Sequence, residues 1–297
     1  MTEHCDVEAL SPREGDATKT AMEPVTPVSV DVEADSDAAC PDAPFSRYGA
    51  AVRAMWSEPD ASAVQVRGPT YTVDGVKVPS GAALGSLLHV DVWDVGSGAD
   101  AADRRLHVAR AEEQRADSLL LHCRRESPDA LVFILNIALP TATNTCLVAY
   151  WLVPKLRDAV ADAARDPARN FERLLWAFCN AEDDDFRTRR FKLIPDFANA
   201  PWVFQQLVPS RPAITGTKLT QHYFRRHNYF ELDLDVASST IASSIGSLCC
   251  SWATYLDVRV FVTIQGEAED ELPERVLGGV SFKYVDLAAA AHQGDEL

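Results

Sequence analysis

Residues 229–236 read Tyr-Phe-Glu-Leu-Asp-Leu-Asp-Val. Phe230, Leu232, Leu234 and Val236 alternate with Glu231, Asp233 and Asp235, the period of a strand with one buried face and one wet face. Ile214 to Phe224 has the composition of a partner strand, so Arg225 to Asn228 is expected to turn a hairpin. Downstream, Ile241, Ile245, Leu248, Trp252 and Tyr255 step by four and three, which predicts a helix over about 238–255. Val258, Val260, Val262 and Ile264 then alternate as another strand over 257–265, and 276–285 reads as the last strand.

Upstream of the hairpin, 64–73 reads as a strand entering a turn at Asp74-Gly75, and 84–95 as a second strand. The segment 104–121 has high helix propensity. Leu131 to Leu139 is continuously apolar and pairs naturally with Cys146 to Val153, which suggests central strands covered on both sides. Asp166-Pro167 is a helix start, with Phe171, Leu174, Leu175 and Phe178 on one face and an end near Asn180. The sum predicts an α+β fold, a mostly antiparallel β-sheet with helices packed on it.

The first 44 residues differ. They hold eleven acids against Arg13 and Lys19, five prolines and no aromatic. Such a segment cannot bury enough surface to offset its ordering entropy, so 1–44 is expected to be a disordered acidic tail and 45–297 the folded domain. The chain carries a formal net charge of −16. That charge repels nucleic acid, and it repels anionic membranes unless bases cluster locally. There is neither a basic, apolar leader nor an apolar run long enough for a membrane helix, so the expected location is the cytoplasm or the periphery of an intracellular membrane.

No motif for catalysis stands out. The sequence lacks the phosphate-cradling glycine loops, the G-x-S-x-G elbow and the H-E-x-x-H zinc pattern. The seven cysteines form no C-x-x-C pair, and the seven histidines show no ligand spacing, so neither a metal nor a cofactor is expected. Glu231, Asp233 and Asp235 share one strand face and are expected to pair with Lys218 or Arg225 across the hairpin, the alternatives being a bound metal or a partner. Arg187, Arg189, Arg190 and Lys192 form a basic cluster beside Phe186 and Phe191. These bases either grip a phosphorylated headgroup or neutralise the acids at 182–185. On the helix over 238–255, the small residues Ala242, Gly246, Cys249 and Ala253 share a face that either packs closely or leaves a groove for an apolar ligand. Asn136, in an apolar strand, is either a buried structural amide or lines a cavity.

Several segments carry a resemblance. Val66-Arg67-Gly68-Pro69 with Tyr71 resembles an opening V-R-G-x-x-Y motif. Phe133-Ile134-Leu135-Asn136-Ile137 with Pro140 is similar to an asparagine-centred strand. Phe186-Arg187, then Arg190-Phe191-Lys192-Leu193-Ile194-Pro195, matches F-R-x-x-R-F-K-L-I-P. Gly216, Lys218-Leu219-Thr220, Tyr223, Arg225 and the run from Asn228 to Asp235 look like a hairpin motif. Glu271-Leu272-Pro273-Glu274, Val276-Leu277-Gly278 resembles a closing E-L-P-E-x-V-L-G. In this order they resemble the C-terminal domain of the Enhanced Disease Resistance 2 family of plant lipid-associated proteins. Here Arg226-His227 stands where many members have a glycine before the asparagine.

The resemblance implies lipid-linked signalling or trafficking at membranes without known catalysis by this domain. The larger members carry pleckstrin-homology and START lipid-transfer domains upstream, whereas 1–44 here reads as an acidic tail. The expected partner is a lipid or membrane surface of phosphoinositide or sterol type, and not nucleic acid. Arg187, Arg190, Lys192, Lys218 and Arg225 are the candidate headgroup contacts. Asn136, Ile241, Ile245, Leu248 and Trp252 are the candidate lining of an apolar pocket between helix and sheet. The alternative is a protein-interaction domain with a flexible acidic tail and no lipid ligand.

Overall fold

The computed structural model describes residues 50–97, 106–154, 156–162, 165–208 and 211–291. The acidic tail expected at 1–44 lies outside these residues. Twelve strands appear among them: β1 (Trp56–Ser57), β2 (Gln65–Arg67), β3 (Lys77–Pro79), β4 (Ser86–Asp94), β5 (Leu131–Ala138), β6 (Thr145–Val153), β7 (Phe191–Asn199), β8 (Ala213–Ile214), β9 (Thr220–Arg225), β10 (Tyr229–Asp235), β11 (Asp257–Ile264) and β12 (Gly278–Lys283). Five helices carry the argument: α1 (Val108–Glu112), α2 (Leu119–Glu126), α3 (Asn170–Asn180), α4 (Trp202–Leu207) and α5 (Thr240–Trp252).

The strands form two five-stranded sheets, in the orders β1-β12-β11-β7-β8 and β4-β6-β5-β10-β9, with β2-β3 as a separate hairpin. Every pairing is antiparallel except β10 with β5, where Asp233 stands opposite Asn136. The α+β expectation and the 229–235 hairpin strand therefore hold, and the 257–265 and 276–285 strands appear as β11 and β12. The expected strand at 64–73 is shorter. It stops at Arg67, and a one-turn helix, Tyr71–Asp74, ends on Gly75 in the left-handed conformation at φ 69°.

The main core lies between the sheets. Phe133, Leu135, Trp151, Phe230 and Leu232 from one meet Val260, Val262, Ile264 and Val280 from the other, closed by Phe171, Leu174, Leu175 and Phe178 of α3. Asp166 caps the turn ahead of α3 by accepting from the Ala168 amide at 3.0 Å, as the Asp-Pro signal implied. Trp151 crosses this core and donates from Nε1 to the Gly279 carbonyl at 2.9 Å.

The outer face of the second sheet is also covered. Val132, Ile134, Val148, Tyr150 and Tyr229 pack under α1 and α2. This overturns the wet face expected for β10, because Glu231 and Asp233 are both 0% exposed.

Candidate functional site

The two buried β10 carboxylates serve a structural purpose. Glu231 accepts the amides of Val108 at 2.7 Å and Ala109 at 3.1 Å, and Asp233 accepts the amide of His107 at 2.9 Å. These are the orphan donors at the start of α1, where negative charge is favoured. Lys218 and Arg225, the counter-ions expected from sequence, are not their partners. Burial pushes the Glu231 carboxyl well above the ordinary carboxylate range, and the Asp233 charge beside it adds to this. Asp233 is pushed up to about 6, again by burial, against the lowering effect of hydrogen bonds to Glu231 and the His107 amide. Glu112 repeats the device for α2: it accepts from the Leu119 and Leu120 amides at 2.6 and 3.2 Å. Among the described residues no group of three His, Cys, Asp or Glu side chains is arranged to hold a metal.

Three of the five candidate headgroup cations are buried and engaged. Arg187 donates to the carbonyls of Phe178 at 3.0 Å and Ala181 at 2.6 Å and pairs with Asp184. Arg190 pairs with Glu267 at 3.1 Å and Glu271 at 3.2 Å. Lys192 places Nζ 2.8 and 2.9 Å from the two oxygens of Glu274. Only Asp184 of the neighbouring acids takes part; the other counter-charges arrive from the segment 267–274. Burial and pairing set these three cations in the interior of the fold rather than on one exposed basic patch.

Lys218 and Arg225 are exposed, on the turn before β9 and at its far end. The Arg225 guanidinium lies 5.3 Å above the Trp176 ring. It borders an open cleft with Arg157, Arg226 and His227. The five cations do not converge on one site.

The expected apolar pocket is not assembled either. Asn136 is fully buried on the sheet that carries β10, in register with Asp233. Ile245, Leu248 and Trp252 instead pack with Phe204, Val208 and Leu256. The small-residue face of α5 closes on the rest of the fold: a Cβ on Gly246 would meet Val236 at 2.9 Å and Pro140 at 3.1 Å. Close packing, not a groove, is the outcome there.

What α5 does present is an uncharged, exposed flank. No charged residue occurs between Asp235 and Asp257. Ile241 is 76% exposed, and beside the helix Trp202 is 69% and Tyr255 66% exposed. The outward stripe of α5 is Ser244, Ser247 and Ser251. The hydroxyls of Ser244 and Ser251 donate back to the carbonyls of Thr240 and Ser247 at 2.9 and 2.8 Å. Those polar groups carry partners into a dry environment. Sequence reasoning did not single out Trp202 or Tyr255 as candidates; Tyr255 falls inside the charge-free run, whereas Trp202 lies far upstream of it and carried no such signal.

The geometry can be set beside known proteins. A family model described as "Protein ENHANCED DISEASE RESISTANCE 2, C-terminal" matches residues 56–286. The chain belongs to this family. A relative from Arabidopsis thaliana named "Protein ENHANCED DISEASE RESISTANCE 2-like" is 29% identical over 238 residues, which is 80% of this chain and 30% of that protein. The chain thus aligns with 30% of that relative's length. No solved structure matches it. The motif residues of this Enhanced Disease Resistance 2 C-terminal domain fall largely in the interior: Asn136, Arg187, Arg190, Lys192 and Glu274 are all buried.

Proposed function

We propose that this domain is a non-catalytic binding module that docks peripherally on an electrically neutral lipid surface through α5 and its flanking aromatics. One observation carries the reading: a charge-free helix with the outward hydroxyls of Ser244 and Ser251 bonded back to its own backbone, accompanied by exposed Trp202, Ile241 and Tyr255. Trp and Tyr favour membrane interfaces because one end is apolar and the other wet. Each large apolar side chain removed from water contributes roughly 1.5–3 kcal/mol. Three such residues give reversible attachment rather than insertion. Among the described residues no helix is long and apolar enough to cross a membrane.

Interfacial helices that seek anionic lipid line their polar face with Lys and Arg. Here that face is serine, on a chain of net charge −16. Apolar transfer, not Coulomb attraction, would therefore drive binding, and salt would leave it unchanged. The test is co-sedimentation with phosphatidylcholine vesicles at low and high salt. Wild type should pellet equally at both, and Ile241→Asp with Tyr255→Asp should stay in the supernatant with an unchanged circular dichroism spectrum. Equal pelleting of wild type and variant, or no pelleting of wild type, removes the lipid reading and leaves the flank to a protein partner.

A further inference from the structure

The outer side of the sheet containing β7 holds a second feature that membrane docking does not use. On the β2-β3 hairpin, Arg67 is in register with Lys77, so their side chains leave on the same face. Val66 and Val78, on the opposite face, pack with Ala61, Phe261 and Val276 and fix the hairpin's orientation. Two cations directly opposite one another on an antiparallel pair destabilise it. A third, Lys192, approaches from β7. All three line one cavity of about 160 Å³, together with Gln65 and Tyr71.

Among the described residues one carboxylate lines the cavity with them. Glu274 accepts from the Lys192 ammonium on both carboxylate oxygens and lies 3.6 Å from the Arg67 Nε. One negative charge thus meets three positive ones, on a chain whose overall charge is strongly negative. The Arg67 guanidinium is also held in place. Arg67 donates to the Gly266 carbonyl at 2.7 Å and its guanidinium lies 4.7 Å above the Tyr71 ring. Burial holds the Lys192 ammonium below its ordinary pKa, with Glu274 opposing this and Arg67 and Lys77 adding to it.

We propose that this cavity is an anion site for a phosphomonoester group, with Arg67, Lys77 and Lys192 as its ligands and Glu274 as the base that positions Lys192. The volume suits a phosphate-sized group and falls below the ~300–1,000 Å³ of pockets for drug-sized molecules. Charge-assisted bonds from a preset guanidinium and two ammonium groups match three phosphate oxygens. A bound anion would also relieve the repulsion between Arg67 and Lys77. Convergence supports the assignment: Arg67 and Tyr71, Lys192, and Glu274 come from three of the sequence motifs that carry the family resemblance. The site stands apart from α5 and from the membrane reading.

The test uses the full chain. Its thermal unfolding is followed in inorganic phosphate and in chloride at matched ionic strength. A ligand that binds the folded state raises Tm. Phosphate should raise it for wild type, and Lys77→Glu, a change at an exposed position, should weaken the apparent affinity at least about tenfold. Lys218→Glu and Ile241→Asp should respond like wild type. An absent response in wild type, or an equal response in Lys77→Glu, overturns the proposal. Vesicles then separate the two sources of the group. Capture on phosphatidate-containing vesicles in excess of phosphatidylcholine, lost in Lys77→Glu, assigns a lipid headgroup. A phosphate response without that excess assigns a soluble phosphomonoester.

Discussion

Glu274→Ala is expected to remove about 3–5 kcal/mol of stability, the range for a buried ion pair that loses one partner. The structure shows what the carboxylate does. It neutralises Lys192 at 2.8 and 2.9 Å and accepts the amides of Arg67 and Gly266, both at 3.1 Å. The Glu274 amide in turn donates to the Arg67 carbonyl at 2.9 Å, so the residue ties the β2-β3 hairpin to the sheet. Alanine would strand an ammonium and two amides without a counter-group. The loss is a large part of the roughly 5–15 kcal/mol available to a folded domain. Lys192→Met with Glu274→Gln should cost less than Glu274→Ala alone, because the buried charge disappears with its partner and the glutamine oxygen still accepts from both amides. Urea unfolding read by tryptophan fluorescence, with midpoints compared at unchanged slope, measures both. A Glu274→Ala loss below about 1 kcal/mol, the scale of an exposed pair, would show that the pair holds nothing together.

Three further outcomes are expected. Gly278→Ala should destabilise by about 1–3 kcal/mol, because its Cβ would stand 2.6 Å from the buried Trp151 ring; a wild-type urea midpoint would contradict this. The raised folded-state pKa values of Glu231 and Asp233 mean that the native pair keeps protons that an unfolded chain releases near pH 4. Its contribution to stability is therefore greatest at low pH and declines as pH rises through about 6 for Asp233. Asp233→Asn should remove part of that decline from a plot of urea midpoint against pH, and an identical profile would refute the assignment. Cys123 and Cys179 are buried, with their thiols pushed up by burial to about 11 and about 12. Both should resist maleimide in the native protein and react once urea unfolds it, as peptide mass spectrometry would show.

Much of the fold was legible because local periodicity reports local structure. The 229–235 strand, the α3 face and the α5 spacing all appear where the residue pattern put them. The pattern could not show what covers a strand. Glu231 and Asp233 read as a wet face because their partners, the amides of residues 107–109, lie more than a hundred positions away. Strand β7 escaped notice because Phe191-Lys192-Leu193-Ile194-Pro195 mixes charges with a proline. Its neighbour β8 pairs only with Lys192 and Leu193, so the strand has an open edge by Pro195, where a missing amide is tolerated.

The candidate site was less legible than the fold. Arg187, Arg190 and Lys192 cluster in sequence and so looked like a surface patch. Arg187 is held by its neighbours, but the partners of Arg190 and Lys192, namely Glu267, Glu271 and Glu274, come from the loop after β11, and spacing along the chain carries no trace of that. The α5 spacing did mark an apolar face. Its outer end, Ile241, proved to face solvent, and the aromatics beside it come from a different helix and from the turn after α5.

Hydrogen exchange read by mass spectrometry, with and without phosphatidylcholine vesicles, tests the membrane claim most directly. Exchange should slow in the segments 201–208 and 240–256, with the β2-β3 hairpin and the α1-α2 region unchanged. Exchange in 240–256 that ignores the vesicles, at a concentration where the protein pellets with them, would place the contact elsewhere and rule out docking through α5.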